Sequence, residues 1–264
     1  MTDVFSFTEG RTPLLISIPH DGRLLMPGQA DRMTDEGKSI PDTDWFVRDL
    51  YAFAIELGAG VIAANYSRYV VDLNRPADDA ALYEGQVSTG LCPVRTFAGK
   101  AIYIDGETIG ESEQNERVGN YWRPYHDKIA KELATLREEH GVALLWDAHS
   151  IASEVPALFP GVLTDLNIGT DSGSSCGSEC ESAVMGVADA SDYTAILNGR
   201  FTGGYITRHY GEPENHTHAI QLELSQRCYM DEEKLSYDAE SAVRVAGTLR
   251  KLLSAYIQAA GEAR

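Results

Sequence analysis

Polar residues able to bind a metal or move a proton recur along this 264-residue chain beside apolar runs. Four runs end in such a cluster and a fifth contains one: PHDG at 19–22, DLNR at 72–75, DAHS at 147–150, RHY at 208–210 and QLE at 221–223. In open α/β sheets, ligands bind at the edge where the carboxyl ends of the strands meet. The five clusters therefore predict one functional site assembled from distant parts of the sequence.

Two histidines in these clusters suit a metal site. His20 follows Ile16 and Ile18 at a spacing of two, and His149 follows an apolar run with Asp147 on the same predicted strand face. Neutral imidazole is the commonest protein ligand for metals, and a carboxylate often holds its second nitrogen. Two histidines and one carboxylate make a catalytic zinc site with an open position. We therefore predict that His20 and His149 bind Zn²⁺ or another divalent transition metal.

The carboxylate ligand is open between two aspartates of the segment SIPDTDWF, Asp42 and Asp44. An aspartate at the start of a helix commonly caps the free backbone N–H groups there. Capping explains only one member of the pair. We assign Asp44 as the third metal ligand and Asp42 as the cap or as an outer residue of the site.

Glu223 lies in an alternating pattern that places it on one strand face with Gln221 and Ser225. A carboxylate in the middle of a strand is costly to bury without a partner, so one alternative is an exposed edge strand. The other is a general base whose pKa is set by the metal and by partial burial. We predict the general base.

Several arginines are candidates for holding a substrate carboxylate, because the guanidinium group matches a carboxylate with two hydrogen bonds. Arg75 and Arg208 are the first candidates, Arg200 and Arg68 are weaker ones, and Asn74 is a candidate for orienting a second oxygen. For any single arginine, the alternative is an ion pair at the surface.

The elements that must position these residues alternate along the chain. Strand-like runs cover 14–20, 60–73, 142–149, 203–210 and 218–225, and helical patterns cover about 43–57, 113–139, 181–197 and 238–260. Such alternation predicts an α/β fold with a mixed or largely parallel central sheet flanked by helices. We find no repeat or linker and expect one domain over 1–264. The segments 76–112 and 160–180 are irregular and are predicted to be long loops.

Composition limits the partners. The chain has 40 acidic against 22 basic residues and a net charge of −18, which argues against binding to nucleic acid or to an anionic membrane. A small anionic substrate stays compatible, since a site can be locally positive. No apolar run is long enough to span a membrane, and the N-terminus lacks the features of a secretory signal. We expect a cytoplasmic protein, and the sequence leaves its oligomeric state open.

The four cysteines do not form a disulfide framework in a chain of this length. Cys176 and Cys180 have a spacing that hints weakly at metal binding, but no histidine is adjacent in the sequence. Cys228 has no evident base beside it and is expected to be a structural thiol.

Longer strings resemble the N-formylglutamate amidohydrolase family over about residues 5–258. They are SIPHDG, DTDWFVRDLY, DLNRP, DAHS, DLNIGT, NGRFTGGYITRHYG and HAIQLELSQRCYMDE. The resemblance implies metal-dependent hydrolysis of N-formyl-L-glutamate to formate and L-glutamate in histidine degradation. It also implies a fold like that of the zinc carboxypeptidases, to which the family is distantly similar, as it is to aspartoacylase.

The resemblance implies roles for individual residues. His20 and His149 match metal ligands, Asn74 and Arg75 match a substrate-binding pair, and Glu223 matches the catalytic glutamate. Those distant relatives carry a carboxylate ligand three residues after the first histidine, but here that position is Arg23. The carboxylate must therefore come from elsewhere, which is why Asp44 matters.

On this interpretation, the substrate is a small dianionic N-acyl amino acid, Glu223 moves the proton, and Arg75 helps to stabilise the tetrahedral oxyanion. Because the average charge of the protein opposes a dianion, arginines are expected to converge on the site, with the excess acid on helices 111–139 and 231–240. The alternatives are another zinc-dependent N-acyl amino acid deacylase or carboxypeptidase-like amidohydrolase, an inactive small-molecule binding protein, and a thiol enzyme using Cys228 or Cys176.

Overall fold

Apolar strands build a seven-stranded sheet at the centre of the fold. The computed structural model describes residues 3–80 and 89–262. Its sheet contains β1 (Phe5–Thr8), β2 (Leu14–Ile18), β3 (Gly60–Ala64), β4 (Ala143–Ile151), β5 (Leu166–Gly169), β6 (Ala195–Leu197) and β7 (Thr217–Ser225). A separate pair is formed by β8 (Met230–Asp231) and β9 (Ser236–Tyr237).

The sheet has the order β1-β3-β2-β4-β7-β5-β6. The four central strands β3, β2, β4 and β7 run parallel, whereas β1 pairs antiparallel with β3, and β5 pairs antiparallel with β7. The predicted α/β class with a mixed sheet is therefore confirmed. The parallel centre brings the carboxyl ends of β2, β4 and β7 together at one edge.

Helices cover both faces of this sheet. They are α1 (Asp35–Lys38), α2 (Val47–Leu50), α3 (Glu111–Arg117), α4 (Arg123–His140), α5 (Ser178–Asp189), α6 (Tyr205–Tyr210) and α7 (Ala239–Glu262). A π-helical turn, Val118–Trp122, joins α3 to α4. Short 3-10 turns occupy Ala30–Arg32, Ala52–Ile55, Pro213–Asn215 and Gln226–Cys228.

Alternation within β4 shows how the two layers form. Leu144, Trp146 and Ala148 pack in the apolar layer that contains α5 and α7, whereas Leu145 faces the layer that contains α4. Burying one such large apolar side chain stabilises the fold by about 1.5–3 kcal/mol. The face shared with Leu145 becomes polar further along the strand, at Asp147 and His149, and this change marks the functional edge.

Several sequence boundaries are confirmed, and two elements are wrong. The helix expected over 231–240 is instead the β8–β9 pair followed by the first residues of α7. The strands near 14–20, 142–149 and 218–225 and the helices near 113–139 and 238–260 are present as β2, β4, β7, α3–α4 and α7. The predicted strand at 203–210 is instead the helix α6. Its first N–H groups bond to Asn74, since Tyr205 N–H donates to the Asn74 carbonyl and Ile206 N–H donates to Asn74 Oδ1 at 2.8 Å. A residue far away in the sequence thus caps this helix.

Other boundaries were too long. The strand predicted over 60–73 ends at Ala64, and the helix predicted over 43–57 consists of α2 and a 3-10 turn. The helix predicted over 181–197 ends at Asp189 and is followed by β6, and the irregular stretch 160–180 contains β5. Part of the predicted loop 76–112, residues 81–88, lies outside the described residues. Within residues 3–80 and 89–262, no helix is both long and apolar enough to cross a bilayer.

Candidate active site

The register of the central strands creates a polar face at the carboxyl edge. Asp147 lies opposite Gln221, and His149 lies opposite Glu223, across the parallel β4–β7 pair. Side chains two residues apart on a strand share a face, so all four lie on one side of the sheet. His20 lies beside these side chains, two residues after β2 ends at Ile18. The predicted clusters on β2, β4 and β7 are thus brought together.

His20, Asp44 and His149 form a compact group of possible metal ligands. One ligand atom from each lies within 4.8 Å of the others. Asp44 Oδ2 is 3.0 Å from His149 Nδ1 and 3.8 Å from His20 Nδ1. All three side chains are buried, with exposed fractions of 4%, 1% and 4%. The backbone N–H of Asp44 donates to the His20 carbonyl at 3.1 Å, which holds this loop against the strand end.

The structure separates the two aspartates that the sequence left open. Asp44 joins the histidines, whereas Asp42 Oδ2 accepts hydrogen bonds from the Tyr69 hydroxyl at 2.6 Å and from the Phe97 N–H at 2.9 Å. Asp42 therefore connects two loops. It does not cap a helix, because α2 begins only at Val47.

A second carboxylate holds the outer nitrogen of each histidine. His20 Nε2 lies 2.7 Å from Asp72 Oδ1, and His149 Nε2 lies 3.0 Å from Asp147 Oδ2. A carboxylate in this position favours the proton on Nε2 and directs the Nδ1 lone pair toward the ligand group. Both Nδ1 atoms face Asp44, so two imidazoles and one carboxylate would hold one cation if the Arg68 guanidinium, whose Nη2 lies 2.6 Å from His20 Nδ1, moved away from that nitrogen.

Charges in this group are arranged to compensate one another. Burial opposes protonation of His149, but the carboxylates of Asp147 and Asp44 raise its pKa well above the ordinary value. Burial and the neighbouring Arg68 lower the pKa of His20. Although burial opposes its ionisation, Asp44 has a lowered pKa because Arg68 and the histidines stabilise its carboxylate. The carboxylates thus attract positive charge between the imidazoles, and a divalent cation suits the same place.

Arg68 has a larger part in the site than the sequence indicated. Its Nη2 lies 2.6 Å from His20 Nδ1 and donates to Asp44 Oδ1 at 2.6 Å. The guanidinium group is buried and also lies 3.8 Å from Asp72. The spacing of Arg68 and Asp72, four residues apart beside the DLNR cluster, was the available sequence signal.

Glu223 is a buried carboxyl group on β7 with an exposed fraction of 8%. Burial raises its pKa to about 8, with the carboxylate of Asp44 acting in the same direction and the positive charge of His149 opposing it. The edge-strand alternative is wrong, since β7 lies between β4 and β5. A buried carboxyl group beside candidate metal ligands is a candidate general base once it has lost its proton.

His20, His149 and Glu223 line a cavity of about 140 Å³. That volume is below the about 300–1,000 Å³ typical of sites for drug-sized ligands, so it favours a small molecule. Three arginines line it, Arg68, Arg75 and Arg200. The remaining lining residues are His20, Asp72, Asn74, Thr89, Phe97, His149, Ser150, Ile151, Leu158, Phe201, Gly204, Gln221 and Glu223. The predicted convergence of arginines on the site is therefore present.

Arg75 and Asn74 are positioned by the helices around the cavity. The indole of Trp122, at the end of the π-helical turn, donates to the Arg75 carbonyl at 2.8 Å. Asn74 Nδ2 lies 2.9 Å from His149 Nε2 and donates to Asp147 Oδ2 at 3.3 Å. A Cβ atom on Gly204 would lie 2.3 Å from Asn74 Nδ2, so the start of α6 can approach Asn74 only as glycine.

Two further predicted arginines lie in different environments. Arg200 lines the cavity, and its Nε donates to the Leu158 carbonyl at 3.1 Å. Arg208 belongs to α6 and is not among the described residues that line the cavity. It forms an ion pair with Asp171 and donates to Thr202 Oγ1 at 2.9 Å. The structure therefore places Arg200 at the cavity, whereas Arg208 is not one of the described residues that line it.

Fold and site together define an α/β protein with a candidate metal centre between a buried carboxyl group and converging arginines. The profile of the N-formylglutamate amidohydrolase family matches residues 12–230. The chain belongs to this family.

Individual relatives agree with that assignment. The N-formylglutamate deformylase of Pseudomonas aeruginosa is 49% identical over 259 residues, which covers 97% of each chain. The enzyme of the same name from Pseudomonas putida is 48% identical with the same coverage.

Solved structures share the fold. An N-formylglutamate amidohydrolase from Ralstonia eutropha JMP134 superposes with a TM-score of 0.83 at 21% identity, covering 96% of this chain and 98% of that one. A gene product of Agrobacterium tumefaciens has a TM-score of 0.72 at 17% identity, covering 95% of each chain.

Proposed function

We propose that this chain is an amidohydrolase that converts N-formyl-L-glutamate and water to formate and L-glutamate. The observation that carries the proposal is the group His20, Asp44 and His149 beside Glu223 in a small cavity lined by arginines. Relatives that share about half of its residues over nearly the whole chain carry the name N-formylglutamate deformylase.

The donor set fits a divalent transition metal, for which we propose Zn²⁺ as the sequence predicted. His20 and His149 would bind through Nδ1 and Asp44 through Oδ2. Asp72 and Asp147 would keep both imidazoles in the required tautomer. When bound, such an ion acidifies water and polarises a carbonyl group. A cytoplasmic location and a dianionic substrate belong to the same proposal.

Glu223 lines the cavity beside the ligand group, which is the position of the base, and a bound divalent cation would favour its carboxylate form. It removes a proton from the water that attacks the formyl carbon, and it delivers a proton to the glutamate nitrogen as the C–N bond breaks. The water oxygen leaves in formate, and the nitrogen leaves as the amine of glutamate. Arg75 donates toward the tetrahedral oxygen or an adjacent carboxylate, since this residue lines the same cavity.

Substrate binding requires a local reversal of the negative charge of the protein. Arg75 and Arg200 supply positive charge within the cavity, and Asn74 lines the cavity beside His149. We assign these three residues to the glutamate part of the substrate. The predicted role of Arg208 in substrate binding stays a prediction, and its contacts with Asp171 and Thr202 favour an indirect effect through the cavity rim.

A substrate panel tests the proposal. Formyl-, acetyl- and succinyl-L-glutamate and formylglycine are compared by their kcat/KM. We expect formyl-L-glutamate to be preferred, with a loss of about 10–200-fold for the added methyl group of the acetyl substrate, because the cavity is small. A preference for acetyl- or succinyl-glutamate would instead identify a different N-acyl amino acid deacylase.

The variant Arg75→Ala tests charge recognition in the same assay. We expect it to reduce the preference for formyl-L-glutamate over formylglycine, since only the former is a dianion. Arg123→Ala, which removes an exposed arginine at the start of α4, is the matched control and should leave the preference unchanged. An undiminished preference in Arg75→Ala would remove Arg75 from the substrate-binding set.

A further inference from the structure

A second group of metal-binding side chains lies where the β5–α5 connection meets the start of β7. It consists of Cys176 in that connection, Cys180 in the first turn of α5, and His218 in β7. One ligand atom from each lies within 4.8 Å of the others. None of the three belongs to the described residues that line the catalytic cavity. This thiol cluster is therefore separate from the active site.

Hydrogen bonds fix the connection against β7. Ala219 N–H donates to the Ser175 carbonyl at 2.8 Å, and Ser175 Oγ donates to the Ala219 carbonyl at 2.8 Å. Next along the chain, Gly177 N–H donates to His218 Nδ1 at 2.9 Å. Because His218 Nδ1 accepts this hydrogen bond, its lone pair points at the segment between the two cysteines. The neutral ring then carries its proton on Nε2. A cation at Nδ1 requires this tautomer and would replace the Gly177 hydrogen bond.

The two thiols are buried, with exposed fractions of 2% for Cys176 and 1% for Cys180. Cys180 also lies in the first turn of the 12-residue helix α5, where the helix dipole favours an anion. The thiol cluster is thus prepared to carry a thiolate.

Tyr256 of α7 contributes a fully buried hydroxyl group beside both cysteines. Among the described residues, its only hydrogen-bonding neighbour is the Cys176 thiol, a weak hydrogen-bonding group, and that contact lacks good hydrogen-bond geometry. An unsatisfied buried hydroxyl costs about 1–3 kcal/mol, so such groups are rare and need an explanation. A bound cation or its water molecule would satisfy this oxygen.

We propose that Cys176, Cys180 and His218 bind Zn²⁺ at a structural site distinct from the active site. Thiolate and imidazole are the ligands of structural zinc sites, which are tetrahedral. Two thiolates neutralise the divalent charge, which limits the cost of burying the ion. Binding releases both thiol protons to solvent, and the Tyr256 hydroxyl or a water molecule completes the four ligands. The ion joins the β5–α5 connection to β7.

The test uses the full-length chain with His149→Ala, which removes a ligand of the active-site group. Cd²⁺ is the probe, because thiolate binding to Cd²⁺ produces ultraviolet charge-transfer absorption and native mass spectrometry counts the ions. We expect one thiolate-bound Cd²⁺ per chain. Adding Cys180→Ser should abolish the absorption, whereas adding Cys228→Ser, which alters a buried thiol elsewhere, should leave it unchanged.

His218→Ala gives a second variant if the serine substitution prevents folding, since His218 is only half-buried. Substitutions outside a set of metal ligands typically weaken metal binding about 10–100-fold. We expect His218→Ala to weaken Cd²⁺ binding by more than that, because it removes a ligand. The proposal is overturned if no thiolate absorption develops, if it survives in Cys180→Ser, or if His218→Ala keeps full affinity. It is also overturned if Cys176 and Cys180 form a disulfide in the purified chain, which lowers its mass by two hydrogens.

Discussion

Replacing Glu223 with glutamine preserves the volume of the side chain and removes its ability to accept a proton. The side chain is buried on β7 and is not in the group that would hold the metal. General base catalysis contributes about 10²–10⁴-fold to a rate. We therefore expect kcat for formate release to fall by at least about 100-fold, with KM and metal content close to those of the unmodified enzyme.

The same substitution should stabilise the metal-free protein. Glu223 has a pKa raised from 4.5 to about 8, with burial as the main cause. Below pH 4.5 the side chain is protonated in the folded and unfolded states, so it carries no penalty. Between pH 4.5 and 8 the unfolded chain loses the proton and the folded chain keeps it, so stability falls as pH rises. At pH 7 the penalty is on the order of 3 kcal/mol.

Urea unfolding of chelated protein at pH 7 and at pH 4.5 measures this effect. Glu223→Gln should be more stable than the unmodified chain at pH 7, by up to about 3 kcal/mol, and the difference should shrink at pH 4.5. Glu138→Gln removes an exposed glutamate of α4 and is the matched control, with no gain expected. A Glu223→Gln enzyme with near-normal kcat, or with no pH-dependent gain in stability, would refute the reasoning.

Three further predictions concern the surroundings of the site. Asp147→Asn should weaken metal binding about 10–100-fold, because Asp147 orients His149, and unchanged affinity in a chelator competition would contradict this. Burial lowers the pKa of His126 to about 3 against the ordinary 6.5, so the unmodified chain should lose up to about 1.4 kcal/mol per pH unit below pH 6.5. In His126→Gln, urea unfolding at pH 6.5 and pH 5 should show a shallower loss, and an identical pH dependence would be evidence against the assignment. Arg117→Met should cost about 1–3 kcal/mol in urea unfolding, since it removes the buried hydrogen bonds to the Tyr69 and Val70 carbonyls and one of the two ion pairs of Glu113, and unchanged stability would contradict this.

The sequence predicted the site best where strand periodicity determines which side chains share a face. Asp147 and His149 on β4, and Gln221 and Glu223 on β7, needed only alternation and a parallel register to be brought together. The choice between Asp42 and Asp44 required tertiary information. Both belong to one loop, and the hydrogen bond from Asp44 N–H to the His20 carbonyl, together with the contacts of Asp42 to Tyr69 and Phe97, sets which of them faces the histidines.

The prediction of a strand at 203–210 was wrong for a physical reason. Ile206 and Thr207 are β-branched and favour strands, and no residue just before α6 caps the helix with its side chain. The cap comes from Asn74, which is 132 residues from Ile206 in sequence. Likewise, Cys176 and Cys180 lacked a neighbouring histidine in sequence, and the fold supplies His218 from β7.

The central claim is that the group His20, Asp44 and His149 holds a metal required for hydrolysis of N-formyl-L-glutamate. The most direct measurement is formate release by the purified enzyme after removal of metal with a chelator, followed by titration with Zn²⁺. We predict that activity is lost on chelation and returns in proportion to the Zn²⁺ bound, and that His149→Ala does not recover. Full activity in metal-free protein, or recovery in His149→Ala, would contradict the account.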